Sequence, residues 1–174
     1  MSALDHVAIA ATDLSAGAAA VGAALGVTLE PGGRHAAMST HNRLLGLGPG
    51  EYLEVIAPDP AAPPPNRPRW FALDRFAGPP APRAWIVRVP DLDAALARAP
   101  AGAGVATGFA RDTLRWRMAV PDDGVLPFGG VFPALIQWTA GAHPATRLPD
   151  RGVRLAAVEL VHPDASGLAA ALAP

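Results

Sequence analysis

The chain has 174 residues, of which 51% are hydrophobic and 17% charged, so it can fold as one domain around a sizeable core. Its 14 basic and 15 acidic residues give a net charge of −1, which excludes the strongly basic surface typical of nucleic-acid and anionic-membrane binding. There is no cysteine and no lysine, which excludes disulfides, thiolate nucleophiles and Schiff-base lysines.

The groups left for chemistry are five histidines, the carboxylates, the arginines and any metal ion that they hold. No stretch of about 18 residues is continuously apolar, so we expect no membrane-spanning segment. The N-terminal sequence MSALDHVAIAATDL has no basic region before its apolar stretch, which is unlike a signal peptide. We therefore expect a cytoplasmic protein.

The first half of the chain predicts a strand, a helix and then a hairpin. The run HVAIAA predicts a strand over His6–Ala11, and Asp13 is a typical N-cap for the helix that follows. Apolar residues then recur at helical spacing as far as Gly26, a typical helix end. A Gly-Pro-Gly turn separates two further strands, over 43–47 and 52–56.

A similar order of elements returns in the second half. A strand over 84–89 precedes Asp91, which is the N-cap of a second helix. Further strands follow over 113–120 and 132–138. The repeated order predicts two βαβββ modules and an α+β fold.

Proline-rich breaks divide the chain into four parts. They are a first module (1–60), a connector and possible lid (61–82), a second module (83–140) and a C-terminal extension (141–174). The extension predicts a strand over Val158–Val161 and a helix after Asp164. We interpret it as a strand–helix half-module that docks on the domain or on another chain, or alternatively as an ordinary C-terminal helix.

A histidine and a glutamate interrupt apolar strands on the side away from the helices. Because side chains alternate along a strand, His6 shares a face with Ala8 and Ala10, and Glu54 shares a face with Tyr52 and Ile56. If these strands are neighbours, the two polar groups meet in a concavity of the sheet, which we call the cup. A buried glutamate needs a metal, an arginine or a proton as a partner.

The motifs LDHVAIAATDL, GGRHAAMSTHNRLLGLGPGEYLEVIAPDP and FPALIQW resemble the vicinal-oxygen-chelate superfamily, in particular its glyoxalase-like domain branch. The resemblance covers most of residues 3–140. It implies that the paired modules form a curved mixed sheet around a central cup. It also implies a divalent metal ion in the cup, held by the first and last strands of each module.

Carried over by position, the resemblance implies His6 and Glu54 as metal ligands from the first module. In the second module the matching positions are Ala84, which cannot bind a metal, and approximately Gln137, which offers a neutral amide oxygen. His41 would complete a two-histidine, one-carboxylate set for Zn, Fe, Mn, Ni or Co if it faces the cup. His41 and its neighbour Asn42 point to opposite faces, so one of them reaches the cup.

Other polar residues are candidates for binding a small substrate. Arg88 aligns with Ala10 on the cup face and would hold a carboxylate or phosphate, or pair with Glu54 in place of a metal. Asn42 is either a cup residue or a partner of a neighbouring loop. His35 is either a gate at the cup mouth or exposed, and Arg115 either lines the cup or is solvated.

We expect a small metal-dependent enzyme in which Glu54 is a ligand and the base that moves a proton. The resemblance leaves lyase, isomerase and dioxygenase chemistry open. The alternative is a protein of the same fold that binds a small ligand without catalysis, because the metal site is incomplete. We also expect a homodimer. Trp70 and Phe71 of the connector are expected to cover the cup mouth. We expect His143 and His162 to be structural or surface residues.

Overall fold

The structure is a computed structural model that describes residues 1–173, so Pro174 at the end of the predicted extension lies outside the described residues. The first module consists of β1 (Ala3–Ala10), α1 (Leu14–Leu25), β2 (Glu30–His35), β3 (Thr40–Gly46) and β4 (Tyr52–Pro58). The second consists of β5 (Ala81–Arg88), α2 (Leu92–Leu96), β6 (Val105–Arg111), β7 (Leu114–Val120) and β8 (Ala134–Ala140). A 3-10 helix (Trp70–Arg75) lies between them, and α3 (Ala165–Leu172) follows.

The eight strands form one sheet in the order β2-β3-β4-β1-β5-β8-β7-β6. β1 is parallel to β4, β5 is parallel to β8, and the two central strands β1 and β5 are antiparallel to each other. The sheet is curled, since the side chain of Arg111 on one edge strand lies against Gly33 on the other. The predicted α+β fold with two βαβββ modules and a curved mixed sheet is confirmed.

Both module helices begin where the sequence predicts. The side chain of Asp13 accepts a hydrogen bond from the backbone N–H of Ala16 at 2.7 Å, and that of Asp91 accepts one from Ala94 at 3.0 Å. These bonds satisfy N–H groups that have no partner within the helix. The first helix ends at Gly26 in the left-handed conformation, with a φ of 68°.

The two faces of the sheet have separate cores. On the outer face, Leu53 and Val55 of β4 pack with Leu14 and Val21 of α1. In the second module, a similar cluster packs Leu92 of α2 against Ala119 of β7 and Leu135 of β8. The inner face is the cup, and its apolar surface includes Ala8, Ala10, Ile56, Ala84, Ile86, Trp116, Met118, Ala134 and Ile136. The alternation of side chains predicted for β1 and β4 is therefore the one observed.

The connector between the modules enters the cup rather than spanning the surface. Trp70, Phe71 and Leu73 are all buried in the cup cluster. Phe71 and Ala72 both have positive φ values, of 58° and 52°. Hydrogen bonds from the Arg83 side chain to the Phe71 carbonyl and from Ala72 N–H to the Gly124 carbonyl hold this unfavourable conformation.

The C-terminal extension differs from the prediction. The helix after Asp164 is present as α3, but 153–163 form no strand. Val153 and Leu155 of this segment instead pack their side chains against the outer-face core of the first module. In the part of the chain that the structure describes, no helix has the length and hydrophobicity of a membrane-spanning segment.

Candidate functional site

The structure brings His6 and Glu54 together inside the cup. They lie on the adjacent parallel strands β1 and β4, where Ala8 pairs with Glu54 and His6 pairs with Tyr52. The His6 Nε2 atom is 3.5 Å from Glu54 Oε2, and each residue is only 5% exposed. An imidazole and a carboxylate therefore face each other in a site that is nearly closed to water.

Asp5 joins this site through an irregularity in β1. The pairing with β5 passes from Leu4–Val87 to His6–Ile86, so Asp5 has no opposite residue, as at a β-bulge. The bulge lets two successive side chains serve the same site. Asp5 is fully buried and accepts a hydrogen bond from His6 Nδ1 at 2.8 Å.

Three further groups surround the Asp5 carboxylate. It accepts hydrogen bonds from Trp138 Nε1 at 2.9 Å and from His143 Nε2 at 3.0 Å, and the guanidinium of Arg88 lies 3.6 Å away. These partners compensate its loss of water. Asp5 thereby fixes the ring of His6 so that Nε2 points toward Glu54.

Glu54 is oriented from the other side by Asn42. The Asn42 amide donates to Glu54 Oε1 at 2.5 Å, and its oxygen accepts from the backbone N–H of Gly33 at 2.6 Å. A Cβ atom at the neighbouring Gly32 would lie 2.0 Å from the Asn42 oxygen. The glycine pair in β2 thus permits the close approach that holds Asn42, and Asn42 leaves Glu54 Oε2 to face His6.

The charges of His6 and Glu54 stabilise each other. Burial alone would lower the pKa of His6, but its hydrogen bonds and charge interactions with Asp5 and Glu54 prevail and raise it to about 9. Burial alone would raise the pKa of Glu54, but His6 and Asn42 lower it to about 2. At neutral pH the site therefore holds an imidazolium between two carboxylates, stacked on the Tyr52 ring at 4.5 Å.

His35 is a second histidine of the site and, unlike His6, it is neutral. Burial lowers its pKa to about 4, and the neighbouring guanidinium of Arg111 acts in the same direction. Its Nδ1 lies 3.1 Å from the Thr40 hydroxyl, and its Nε2 lies 3.1 Å from Arg111 NH1. Because a guanidinium can only donate, Nε2 is the acceptor, and the neutral ring carries its proton on Nδ1.

The site surrounds a cavity of about 30 Å³, which is water-sized rather than substrate-sized. Its polar lining consists of His6, His35, Asn42, Tyr52, Glu54 and Arg111. Its apolar lining consists of Leu44, Trp70, Phe71, Trp116, Met118, Ile136 and Trp138. The polar side belongs mainly to the first module, and the apolar side to the second module and the connector.

Two of the predicted metal ligands lie elsewhere. Gln137 is on the outer face, where its amide donates to the Pro90 carbonyl at 2.8 Å and accepts from Leu92 N–H. The strand pairing places Ala134, not Gln137, at the position equivalent to Glu54, because spacing alone misjudged the longer loop before β8. His41 also lies outside the cavity lining, since its neighbour Asn42, together with Leu44, is on the face of β3 that lines the cup.

The predicted arginines also have other partners. Arg88 reaches the cup end of β5, but it pairs with Asp5 and with the Gly50 carbonyl at 3.4 Å rather than with Glu54. Arg115 donates to backbone carbonyls of its own hairpin and lies outside the cavity lining. Of the predicted substrate-binding residues, the structure therefore brings Asn42 and His35 to the cavity, places Arg88 beside Asp5, and leaves Arg115 outside.

The donor set does not complete a metal site. His6 and Glu54 are the two ordinary metal ligands that face each other, whereas a catalytic zinc ion has three protein ligands. The equivalent positions of the second module are Ala84 and Ala134, which have no donor atom. Among residues 1–173, no group of three His, Cys, Asp or Glu side chains is placed to hold a metal ion.

Sequence reasoning missed Asp5, His143 and Arg111 as members of this site, and it placed Tyr52 on the strand face of Glu54 without giving it a role. The signal for Asp5 was a charged residue inside an apolar strand, directly before His6. Nothing local in the sequence marked His143 or Arg111, which reach the site from the loop after β8 and from the far edge of the sheet.

Comparisons with known proteins agree with this architecture. A family model described as a Glyoxalase-like domain matches residues 4–174. No curated protein has a significant sequence match to this chain.

Two solved structures share the fold. One is a hypothetical protein from Staphylococcus aureus, with a TM-score of 0.52 and 15% identity over 79% of this chain. The other is methylmalonyl-CoA epimerase from Mycobacterium tuberculosis, with a TM-score of 0.50 and 23% identity over 80% of this chain. The match covers 59% of the staphylococcal chain and 88% of the mycobacterial one. Identities this low show a common fold and no more.

Proposed function

This chain belongs to the glyoxalase-like domain family, and we propose that it is an enzyme that moves a proton on a small, oxygen-bearing substrate. The observation that carries the proposal is the buried chain Asp5–His6–Glu54–Asn42, whose facing atoms line a cavity. Buried charges are costly, and ones placed against a cavity with strongly shifted pKa values are typical of functional sites.

His6 is the group that stabilises negative charge on the substrate. With a pKa of about 9 it is an imidazolium at neutral pH, and its Nδ1–H donates a hydrogen bond to the Asp5 carboxylate. The proton on Nε2 is then directed into the cavity, where it can donate to a substrate carbonyl oxygen. That bond strengthens as the oxygen becomes an enolate, because a charged donor in a dry site favours the developing anion.

Glu54 is the base. Its carboxylate takes a proton from the carbon next to that carbonyl, which leaves an enolate on the substrate and a neutral carboxyl on Glu54. Returning the proton to carbon restores the carboxylate. While Glu54 faces His6, the pKa of Glu54 is held near 2. When a substrate oxygen accepts the His6 N–H instead, this hydrogen bond to Glu54 is lost and the pKa of Glu54 rises.

Substrate entry requires the connector to move. The cavity of about 30 Å³ does not hold an organic molecule, and Trp70 and Phe71 form part of its wall. Both residues lie in the 3-10 helix of the connector, where Phe71 and Ala72 have positive φ values, and not in the sheet. This helix is therefore the element that can move without disrupting strand pairing.

A divalent-metal version of this function follows from the family and competes with the proposal. It is supported by the way Asp5 and Asn42 hold the outer atoms of His6 and Glu54, as outer partners of metal ligands do. It is opposed by the alanines at the matching positions of the second module. Metal content of the purified protein separates the two versions, and we route no step through a metal ion.

The proposal is tested by proton exchange in D₂O. A panel of small 2-oxo, 2-hydroxy and 3-oxo acids is incubated with the protein after chelator treatment, and loss of the ¹H signal next to the carbonyl is followed by NMR. We expect exchange with at least one compound, and a rate about 10²–10⁴-fold lower for Glu54→Gln. Glu30→Gln, which removes an exposed partner of Arg151, is the matched control and should exchange as the wild type does.

Three results would contradict the proposal. Exchange that continues in Glu54→Gln would exclude Glu54 as the base. Binding of a compound without exchange would support a ligand-binding protein of the same fold. Exchange that disappears with the chelator and returns with one divalent ion per chain would support the metal-dependent version.

A further inference from the structure

Arg111 closes the cup from the far side of the sheet. It is the last residue of β6, one edge strand, and its side chain crosses to β2, the other edge strand. A Cβ atom at Gly33 of β2 would lie 2.6 Å from the Arg111 side chain, so the absence of a side chain at Gly33 makes this crossing possible. The guanidinium then lines the same cavity as His6 and Glu54.

The guanidinium of Arg111 has no carboxylate partner among residues 1–173. Its one side-chain hydrogen bond in that part of the chain is to Nε2 of His35, a neutral ring. In contrast, Arg34, Arg69, Arg117, Arg151 and Arg154 each pair with a carboxylate. A partly buried guanidinium whose sole side-chain partner is an imidazole keeps most of its five donors available.

The charges around the cavity leave this cation uncompensated. The carboxylates of Asp5 and Glu54 are matched by His6 and by Arg88, which lies 3.6 Å from Asp5. Arg111 therefore adds a positive charge that the protein does not balance at this site. Since an unpaired charge in a poorly hydrated site is costly, a bound anion would stabilise it.

A second unsatisfied donor lines the same cavity. The indole N–H of Trp70 is buried and has no acceptor among the described residues, and the Trp70 ring contacts His35 edge-on at 5.1 Å. Trp70 is only 4% exposed, so water does not readily replace the missing acceptor. The remaining N–H groups of Arg111 and the N–H of Trp70 therefore belong to residues on the wall of one cavity.

We propose that Arg111, positioned by neutral His35 and assisted by the Trp70 N–H, binds a carboxylate group of the substrate. A carboxylate fits because its two oxygens match the planar fork of a guanidinium. This inference rests on the proposed function and narrows it, because the substrate becomes a small carboxylic acid whose reacting carbonyl faces His6 and Glu54.

His35 is a positioning residue in this arrangement. Its neutral state makes Nε2 an acceptor that holds the guanidinium, and the Thr40 hydroxyl fixes the ring from the other side. A protonated His35 would instead repel Arg111.

The experiment compares acetate with acetamide, which share size and planarity but differ in charge. Binding of each to the full chain at low ionic strength is measured by ¹H–¹⁵N NMR titration of the tryptophan indole signals. We expect acetate to bind at least 10-fold more tightly than acetamide. In Arg111→Gln that preference should disappear, and Arg111→Lys should show an intermediate preference because the charge remains while the fork is lost.

The control is Arg115→Gln on the adjacent strand, whose guanidinium contacts only backbone carbonyls and lies outside the cavity lining. It should keep the full preference for acetate. Equal binding of both probes by the wild type, binding of neither, or an undiminished preference in Arg111→Gln would overturn the inference.

Failure of this inference is distinguishable from failure of the proposed function. Glu54→Gln should lose proton exchange and keep or strengthen the preference for acetate, because it removes a carboxylate from the cavity and leaves the guanidinium of Arg111 in place. A preference that depends on Arg111 without any exchange would leave a carboxylate-binding protein. If Arg111→Gln still catalyses proton exchange with an unchanged KM for carboxylic acids, the proposed function stands and the role of Arg111 in substrate binding is wrong.

Discussion

The two modules have the same fold but contribute different chemistry to the cup. In the first module the inner face carries His6 and Glu54, and in the second the equivalent positions are Ala84 and Ala134. The curved sheet needs both copies, because β1 and β5 pair at its centre. The fold therefore sets the shape of the cup, whereas the polar residues of one copy set its chemistry.

The asymmetry has a physical advantage. Two opposed carboxylate–imidazole pairs would crowd four charges into one dry cavity, with a large loss of hydration. The single pair of the first module is compensated mostly by groups of that module. The second module contributes only Arg88 and Trp138, which contact Asp5. Ile136 and Trp116 of the second module belong to the apolar wall of the cavity, and the two alanines lie in the same buried apolar cluster.

The largest expected effect comes from removing the buried charge that the first module alone possesses. Asp5→Ala leaves His6 Nδ1, Trp138 Nε1 and the Arg88 guanidinium without their shared partner. Removal of one member of a buried ion pair costs about 3–5 kcal/mol, so we expect a loss of that size in the free energy of unfolding, measured with urea.

The matched control is Asp93→Ala in the second module. Asp93 forms a two-pronged pair with Arg117, but both side chains are substantially exposed. We expect a much smaller loss than for Asp5→Ala, because exposed pairs are well solvated when broken. Equal losses for the two variants would show that the Asp5 network is not an energetic difference between the modules.

The pH dependence of stability should reveal the same charges with a smaller effect. The pKa of His35 is lowered from 6.5 to about 4, so its contribution is complete above about pH 6.5 and is lost as the pH falls through 4. The pKa of Glu54 is lowered from 4.5 to about 2, so its contribution is complete above about pH 4.5 and is lost only as the pH falls toward 2. The pKa of His6 is raised to about 9, so its contribution is complete below 6.5 and is lost as the pH rises through 9.

We therefore expect maximal stability near pH 6.5, with each limb losing at most about 3 kcal/mol. Urea midpoints measured between pH 4 and 10 would check this, and His6→Gln should flatten the alkaline limb. If His6→Gln loses as much stability at alkaline pH as the wild type, the loss belongs to groups other than His6.

The smallest expected effect concerns the features that both modules share. Asp13→Ala and Asp91→Ala each remove one N-cap hydrogen bond, of 2.7 and 3.0 Å. Each should cost about 1 kcal/mol in urea unfolding. Similar values would confine the difference between the modules to the cup. A loss confined to one cap would extend that difference to the outer face.

Much of this architecture could be predicted from local patterns. Helix caps are short-range features, and those at Asp13 and Asp91 indicated the repeated module. The alternation of side chains is also short-range, and it indicated that His6 and Glu54 face each other. The strand β2 was missed because its Pro-Gly-Gly sequence is typical of a turn. Its glycines are instead required by the close approach of Asn42 and Arg111.

The rest of the site depends on contacts between distant parts of the chain. Arg111 and His35 are 76 positions apart, and His143 and Asp5 are 138 apart. Their meeting depends on the curl of the sheet and on the path of the loop after β8, which no local pattern encodes. Gln137 was misplaced for a related reason, since loop lengths between strands shift the register by several residues.

The buried ion pair is tested by measuring the pKa of His6 from its imidazole ¹⁵N shifts in chelator-treated protein. We expect a pKa of about 9 in the wild type, because Asp5 and Glu54 both stabilise the imidazolium. In Glu54→Gln we expect this pKa to fall by more than one, and in the control Glu30→Gln we expect no change. A wild-type pKa at or below 6.5, unchanged in Glu54→Gln, would contradict the claim that these two groups form a buried ion pair.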